Sequence, residues 1–99
     1  MNNLAFVRQS LGRAAEAEPL YEEALKMYRR LFKGDHPAVA LSLNNLAVLR
    51  FKSGRREEAL PLIEEAAEMI LRLFGLEHPT ARTILKMRDM IRREAGVTE

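Results

Sequence analysis

The stretch Asn2-Asn3-Leu4-Ala5 returns as Asn44-Asn45-Leu46-Ala47, an offset of 42 residues. The same offset carries Gly12-Arg13 onto Gly54-Arg55, Glu16-Ala17 onto Glu58-Ala59, and Pro19-Leu20 onto Pro61-Leu62. It also lays Glu22-Glu23-Ala24 on Glu64-Glu65-Ala66, Leu31-Phe32 on Leu73-Phe74, and His36-Pro37 on His78-Pro79. Residues 1–42 aligned with 43–84 give 20 identities in 42 positions, against roughly two or three for ordinary composition. A unit of this length cannot bury its apolar face alone, so much of the sequence encodes stacking of one unit on the next. Such arrays make surfaces rather than enclosed active sites.

Each unit reads as two helices. Pro37 and Pro79 sit where a first-turn proline is tolerated, because that N–H has no helical partner. Asp35-His36 and Glu77-His78 precede them at the cap, where a side chain can accept from free N–H groups. From Pro37 the apolar positions Val39, Leu43, Leu46, Ala47 and Leu49 follow helical spacing up to Ser53-Gly54, a glycine stop. A second helix from about Arg56 to Phe74 places Ala59, Leu62, Ile63, Ala66, Ile70 and Phe74 on one stripe. Pro61 and Pro19 fall in the second helices, near the first turn or at a kink.

The first unit repeats this with Leu4, Ala5 and Val7, then Ala17, Leu20, Tyr21, Ala24, Tyr28 and Phe32. A third unit has only a first helix, from Pro79 to about Ala95, with Ile84, Leu85, Met87, Met90 and Ile91. The expectation is one all-α domain over 1–99: unit 1 at 1–36, unit 2 at 37–78 and a C-terminal capping helix at 79–96. About five helices follow, with loops near 12–13, 34–36, 53–55 and 75–78. Met1 falls where the first helix is already under way, so either that helix is short or the chain is the tail of a longer array.

Leu46-Ala47, Gly54, Ala59, Ile63 and Ala66 fall at the spacings of the tetratricopeptide repeat, and Leu4-Ala5, Gly12, Ala17, Tyr21 and Ala24 match identically. The period of 42, the Asn-Asn-Leu-Ala start and the Asp-His-Pro loop resemble the longer kinesin-light-chain type of that repeat. The resemblance implies a right-handed superhelical stack of antiparallel helix pairs, an α-solenoid. HEAT and armadillo arrays have a similar period but not this spacing. Two positions depart from the pattern. Arg8 and Arg50 stand where an aromatic is usual, and Arg88-Asp89 replaces the Leu-small pair in the third unit. Asp89 does not suit a packed helix pair, which makes the last helix a polar cap.

Composition removes several function classes. The sequence has no cysteine, so disulfides and thiolate metal sites are excluded. Apolar runs reach at most four residues, far short of the ~20 a membrane helix needs. No basic start with an apolar core marks a signal peptide. A cytoplasmic location is the expectation. His36 and His78 precede prolines at corresponding loop positions, which suits capping better than catalysis or metal binding. Ser10, Ser42 and Ser53 have no neighbouring base, and no glycine-rich phosphate loop occurs. Glu22-Glu23 and Glu64-Glu65 are adjacent on a helix, diverging by about 100°, and read as solvated faces. No catalytic residue, cofactor or metal site is expected, and the chain is not expected to be an enzyme.

A binding surface is the better expectation. The net charge is +2 but uneven: segments 1–12, 37–53 and 79–95 carry +1, +2 and +3, and 54–76 carries −2. First helices are therefore basic. This is either ordinary solvated surface or a face that steers acidic partners. The resemblance implies that first helices line a concave groove. The corresponding positions are Asn2, Phe6 and Gln9; Leu41, Asn44, Val48, Phe51 and Lys52; and Thr83, Lys86, Met90 and Arg93. Asparagine offers both donors and an acceptor to a peptide backbone. Lys52, Lys86 and Arg93 could hold carboxylates of an acidic segment. Phe6 and Phe51 could instead pack on a neighbouring helix.

The leading expectation is a non-catalytic scaffold binding a protein or peptide, with no nucleic-acid or membrane partner. The alternative is a stacking or oligomerising fragment, a homodimer or longer array formed through the N-terminal end. Nucleic-acid binding through Arg82, Lys86, Arg88, Arg92 and Arg93 is disfavoured, because no aromatics interleave with these cations.

Overall fold

A computed structural model describes the backbone of residues 3–96 and the side chains of residues 16–96. Four helices account for nearly all of it: α1 (Asn3–Leu31), α2 (Pro37–Lys52), α3 (Arg56–Phe74) and α4 (Pro79–Glu94). There is no strand among the described residues. Consecutive helices α2, α3 and α4 pack side by side across short connections, which makes neighbours antiparallel. The α2–α3 interface is the largest, α3–α4 and α1–α2 follow, and α2 also touches α4. This is the stacked helical architecture of a solenoid.

The helix ends follow local chemistry. At the start of α2, Nδ1 of His36 accepts the Ala38 N–H at 3.0 Å, and Pro37 occupies the first turn. His78 does the same for α4, accepting the Thr80 N–H at 3.1 Å. Each imidazole stacks on the phenylalanine four residues earlier, His36 on Phe32 and His78 on Phe74. The α2–α3 turn depends on Gly54, whose φ of 84° suits a residue without a Cβ. There the Arg55 N–H donates to the Arg50 carbonyl at 2.9 Å, and the Ser53 hydroxyl donates to that of Leu49. Those bonds satisfy carbonyls left open at the helix end.

Three of the four expected loops occur where the sequence places them. The fourth, at 12–13, does not: α1 runs unbroken through Gly12. The local sequence accounts for the difference. Leu11 stands where Ser53 caps α2, and Ala14-Ala15, strong helix formers, stand where Arg56-Glu57 begin α3. A single mid-helix glycine costs only about 1 kcal/mol, which good neighbours can carry. The two prolines sit inside helices, Pro61 in the second turn of α3 and Pro19 in the middle of α1.

The core lies between α2, α3 and α4. Val39, Ala40, Leu43, Leu46 and Ala47 meet Ala59, Ile63, Ala66, Ala67 and Ile70, with Ala81, Ile84 and Ile91 closing the far side. Ala59 and Ala66 are 0% exposed, as the repeat pattern requires. Ala17 and Ala24, expected to match them, are only half-buried. The missing break explains this: with residues 3–12 continuing α1, nothing folds back over these alanines as α2 folds over α3. We therefore expect Ala59→Leu to overpack the interface and cost roughly 1–3 kcal/mol. In the monomer, Ala17→Leu should change stability by no more than about 0.5 kcal/mol. Thermal denaturation of the two variants at dilutions that keep the chain monomeric measures the contrast, and equal losses there would mean that the chain's own residues cover α1 as they cover α3.

Candidate functional site

The first helices α2 and α4 both run antiparallel to α3 and so point the same way. Their identical caps set a common start, which places Asn44 level with Lys86, Val48 with Met90, and Phe51 with Arg93. Lys52, Lys86 and Arg93 are exposed, while Asn44, Val48, Phe51 and Met90 are half-buried. Phe51 packs against the core cluster, so it serves the fold as well as the surface. Leu41 is 43% exposed but turns elsewhere. It lines an open cleft of about 360 Å³ between α1 and α2, with Tyr21, Ala24, Tyr28, Ala38, Ser42 and Asn45. Phe6 and Gln9 lie on the backbone of α1, but their side chains fall outside the described residues, as does Asn2 altogether.

Asn44 is a half-buried polar residue on this wall. Its Oδ1 is covered and has no hydrogen-bond partner, as is true of Nε of Arg88 on α4. An unpaired buried acceptor costs about 1–3 kcal/mol.

Arg50, which stands where an aromatic is usual, has a structural role. Nε of Arg50 donates to Glu18 at 3.0 Å and Nη2 to Glu22 at 2.6 Å, tying α2 to α1. One period later Arg92 binds Glu64 at 3.0 and 2.6 Å, tying α4 to α3. Glu22 and Glu64 are thus not simply solvated faces but acceptors for the next unit's first helix. The signal was present in the sequence: Arg8, Arg50 and Arg92, like Glu22 and Glu64, recur at an offset of 42. Arg55 adds a bidentate contact to Glu18, fixing the α2–α3 turn onto α1. Outside this pair of locks, Arg72 binds Asp35 at 2.6 and 2.9 Å, and Arg29 binds Glu65 at 2.8 Å.

These contacts shape the electrostatics. The Arg55 hydrogen bond, with help from Arg50, holds the Glu18 carboxyl below its ordinary value of 4.5 despite the opposing effect of burial. The Arg72 hydrogen bond lowers Asp35 likewise. Carboxylates of the preceding helices neutralise Arg50 and Arg92, and Arg88 lies 3.5 Å from Asp89 of its own helix α4. Lys52, Lys86 and Arg93 remain as exposed cations with no ion-pair partner among the described residues. Among those residues no cluster of three or more His, Asp or Glu side chains is arranged to hold a metal, and no helix is long and apolar enough to cross a membrane.

The sequence model described as Tetratricopeptide repeat matches residues 1–72, which include α1, α2 and most of α3. No curated protein matches the chain.

Because the folded-state pKa of Glu18 is depressed, its contribution is present above the ordinary carboxylate range and is lost as pH falls through the lower folded value. The urea midpoint should therefore drop on acidification from about pH 5 to about pH 3, and Glu18→Gln should flatten that drop. At neutral pH, Arg50→Ala should cost about 1–3 kcal/mol by leaving Glu18, itself only 17% exposed, without one of its donors. An acid profile unchanged by Glu18→Gln would show that other carboxylates set it.

Proposed function

The chain belongs to the tetratricopeptide repeat family, and on that premise we propose that it is a non-catalytic scaffold that captures an acidic protein segment on the first-helix wall. Repeats of this family mediate protein–protein interaction. The finer reading is that an extended or helical peptide lies across α2 and α4, with Val48 and Met90 beneath it. Lys52, Lys86 and Arg93 meet its carboxylates, and Asn44 meets its backbone. The period of 42 and the Asp-His-Pro loop support the kinesin-light-chain-like type. The whole chain acts as one repeat domain in this reading, and the cytoplasm is its proposed location.

The observation that carries the proposal is the arrangement of charge. Arginines of the first helices that face α1 and α3 are neutralised by glutamates, yet the cations on the α2–α4 wall are not. Exposed unpaired cations beside half-buried apolar groups suit an acidic, partly apolar ligand. A fluorescent peptide rich in Glu and Leu should bind, and a Lys/Leu counterpart should not. Affinity should fall as salt rises, since exposed charges are screened over about 10 Å at 0.1 M. Asn44→Ala combined with Lys52→Glu should weaken capture about tenfold or more with the thermal transition retained. Binding of both peptides alike, or no effect of the double change, would refute the assignment.

A further inference from the structure

By the repeat offset, Tyr21, Ala24 and Tyr28 of α1 correspond to Ile63, Ala66 and Ile70 of α3. The α3 residues are completely buried beneath α2, whereas Tyr21 is 39% exposed and Ala24 and Tyr28 are half-buried. Met27 is 44% exposed where its counterpart Met69 is 5%. On the other wall, Ser42 is partly exposed where its counterpart Ile84 is buried. Thus the cleft between α1 and α2 occupies the place that, one unit later, is filled by α2 itself lying on α3 and α4.

The repeat also identifies what fits there. Residues 43–54, the part of α2 that carries Leu46 and Ala47 into the core together with the turn that ends it, are the copy of residues 1–12. A helix with the sequence of residues 1–12 therefore has the Leu-Ala pair and the flanking asparagines that this kind of seat accepts. That segment cannot lie in the cleft of its own chain while α1 is unbroken. The continuous helix carries residues 3–12 straight away from Tyr21 at about 1.5 Å per residue.

We infer that the cleft is filled by residues 1–12 of a second copy of the chain. Two molecules exchange these segments about a twofold axis, each receiving from its partner the helix that α2 supplies within the second unit. The interface is self-complementary, as a twofold dimer requires, and exchange of an identical element is a low-cost route to it. The unbroken α1 is the form competent for exchange. A break at Gly12, like the one at Gly54, would instead return the segment to its own cleft. This surface is distinct from the α2–α4 wall, and the inference does not depend on what binds there.

The chain lacks cysteine, so introduced thiols report contacts cleanly. Ala5→Cys and Ala24→Cys, whose counterparts Ala47 and Ala66 are both buried in the α2–α3 packing, are mixed and treated with a short bismaleimide. The expected result is a cross-linked heterodimer, with sedimentation equilibrium giving twice the 11.3 kDa chain mass. Gly12→Ala, which favours the unbroken helix, should leave dimerisation as strong or stronger. Ala24→Arg, or Tyr21→Glu should the first lose helicity by circular dichroism, should weaken it at least tenfold. Lys52→Glu should leave it unchanged. A monomer at all concentrations overturns the inference. With an intramolecular cross-link in the Ala5→Cys/Ala24→Cys double variant it shows the segment folded back on its own chain, and without one it shows that the cleft accepts no such helix. A dimer that gives no mixed cross-link also overturns it, by placing the interface elsewhere.

Discussion

The structure depends on how closely α2 and α3 approach. Ala47 on one helix and Ala59, Ala66 and Ala67 on the other are all fully buried, and their small side chains bring the two backbones together. Larger residues then interdigitate around the contact: Leu43 and Leu46 from α2, Ile63 and Ile70 from α3. Dense packing of this kind is intolerant of added volume, because neighbouring side chains are already in their rotamer wells. Once this pair is formed, α3 offers its far side to α4, where Ala81, Ile84 and Ile91 complete the core. The wall formed by α2 and α4 is a consequence of that packing, since α3 holds both helices in the same direction.

Ion pairs set the relation between successive units. The Arg50–Glu22 and Arg92–Glu64 contacts are one interaction repeated at the period of the sequence. They lie at the margin of the apolar contact, where partial burial strengthens them without the full desolvation cost of deep burial. They also sort the positive charge. Arg50 and Arg92 near the unit boundary are neutralised, whereas Lys52, Lys86 and Arg93 on the first-helix wall are exposed with no ion-pair partner among the described residues, as are Lys26, Arg30, Lys33 and Arg82 elsewhere.

The first unit does not repeat the second in structure, although the two are nearly half identical in sequence. The distinction rests on a few residues at one turn. Ser53 and Gly54 end α2, and Arg55 holds the turn by binding Glu18 on the preceding helix. At the corresponding place Leu11, Ala14 and Ala15 favour continuation, and Gly12 alone does not stop it. A turn in a repeat array is thus secured partly by the unit before it. The open face of α1, with Tyr21 and Met27 exposed, is the direct result.

The sequence by itself determined the period, the helical class, the caps at His36 and His78, three of the loops and the burial of Ala59 and Ala66. These follow from local propensity and from a pattern that occurs twice, so each inference had an internal check. It also marked the positions of the candidate wall, because helical spacing places Asn44, Val48 and Lys52 off the core stripe. Tertiary structure decided what depends on neighbours. Leu41 joins the α1–α2 cleft instead of the α2–α4 wall, and Phe51 shares in the core. Arg50 and Arg92 became interhelix locks: their recurrence with Glu22 and Glu64 was visible in the sequence, but only the packed helices show that they face each other. The state of Gly12 was also beyond local reading. A glycine costs a helix about as much as a turn needs to be supported, so the outcome rests on whether packing contacts reward the break, and those contacts exist only in three dimensions.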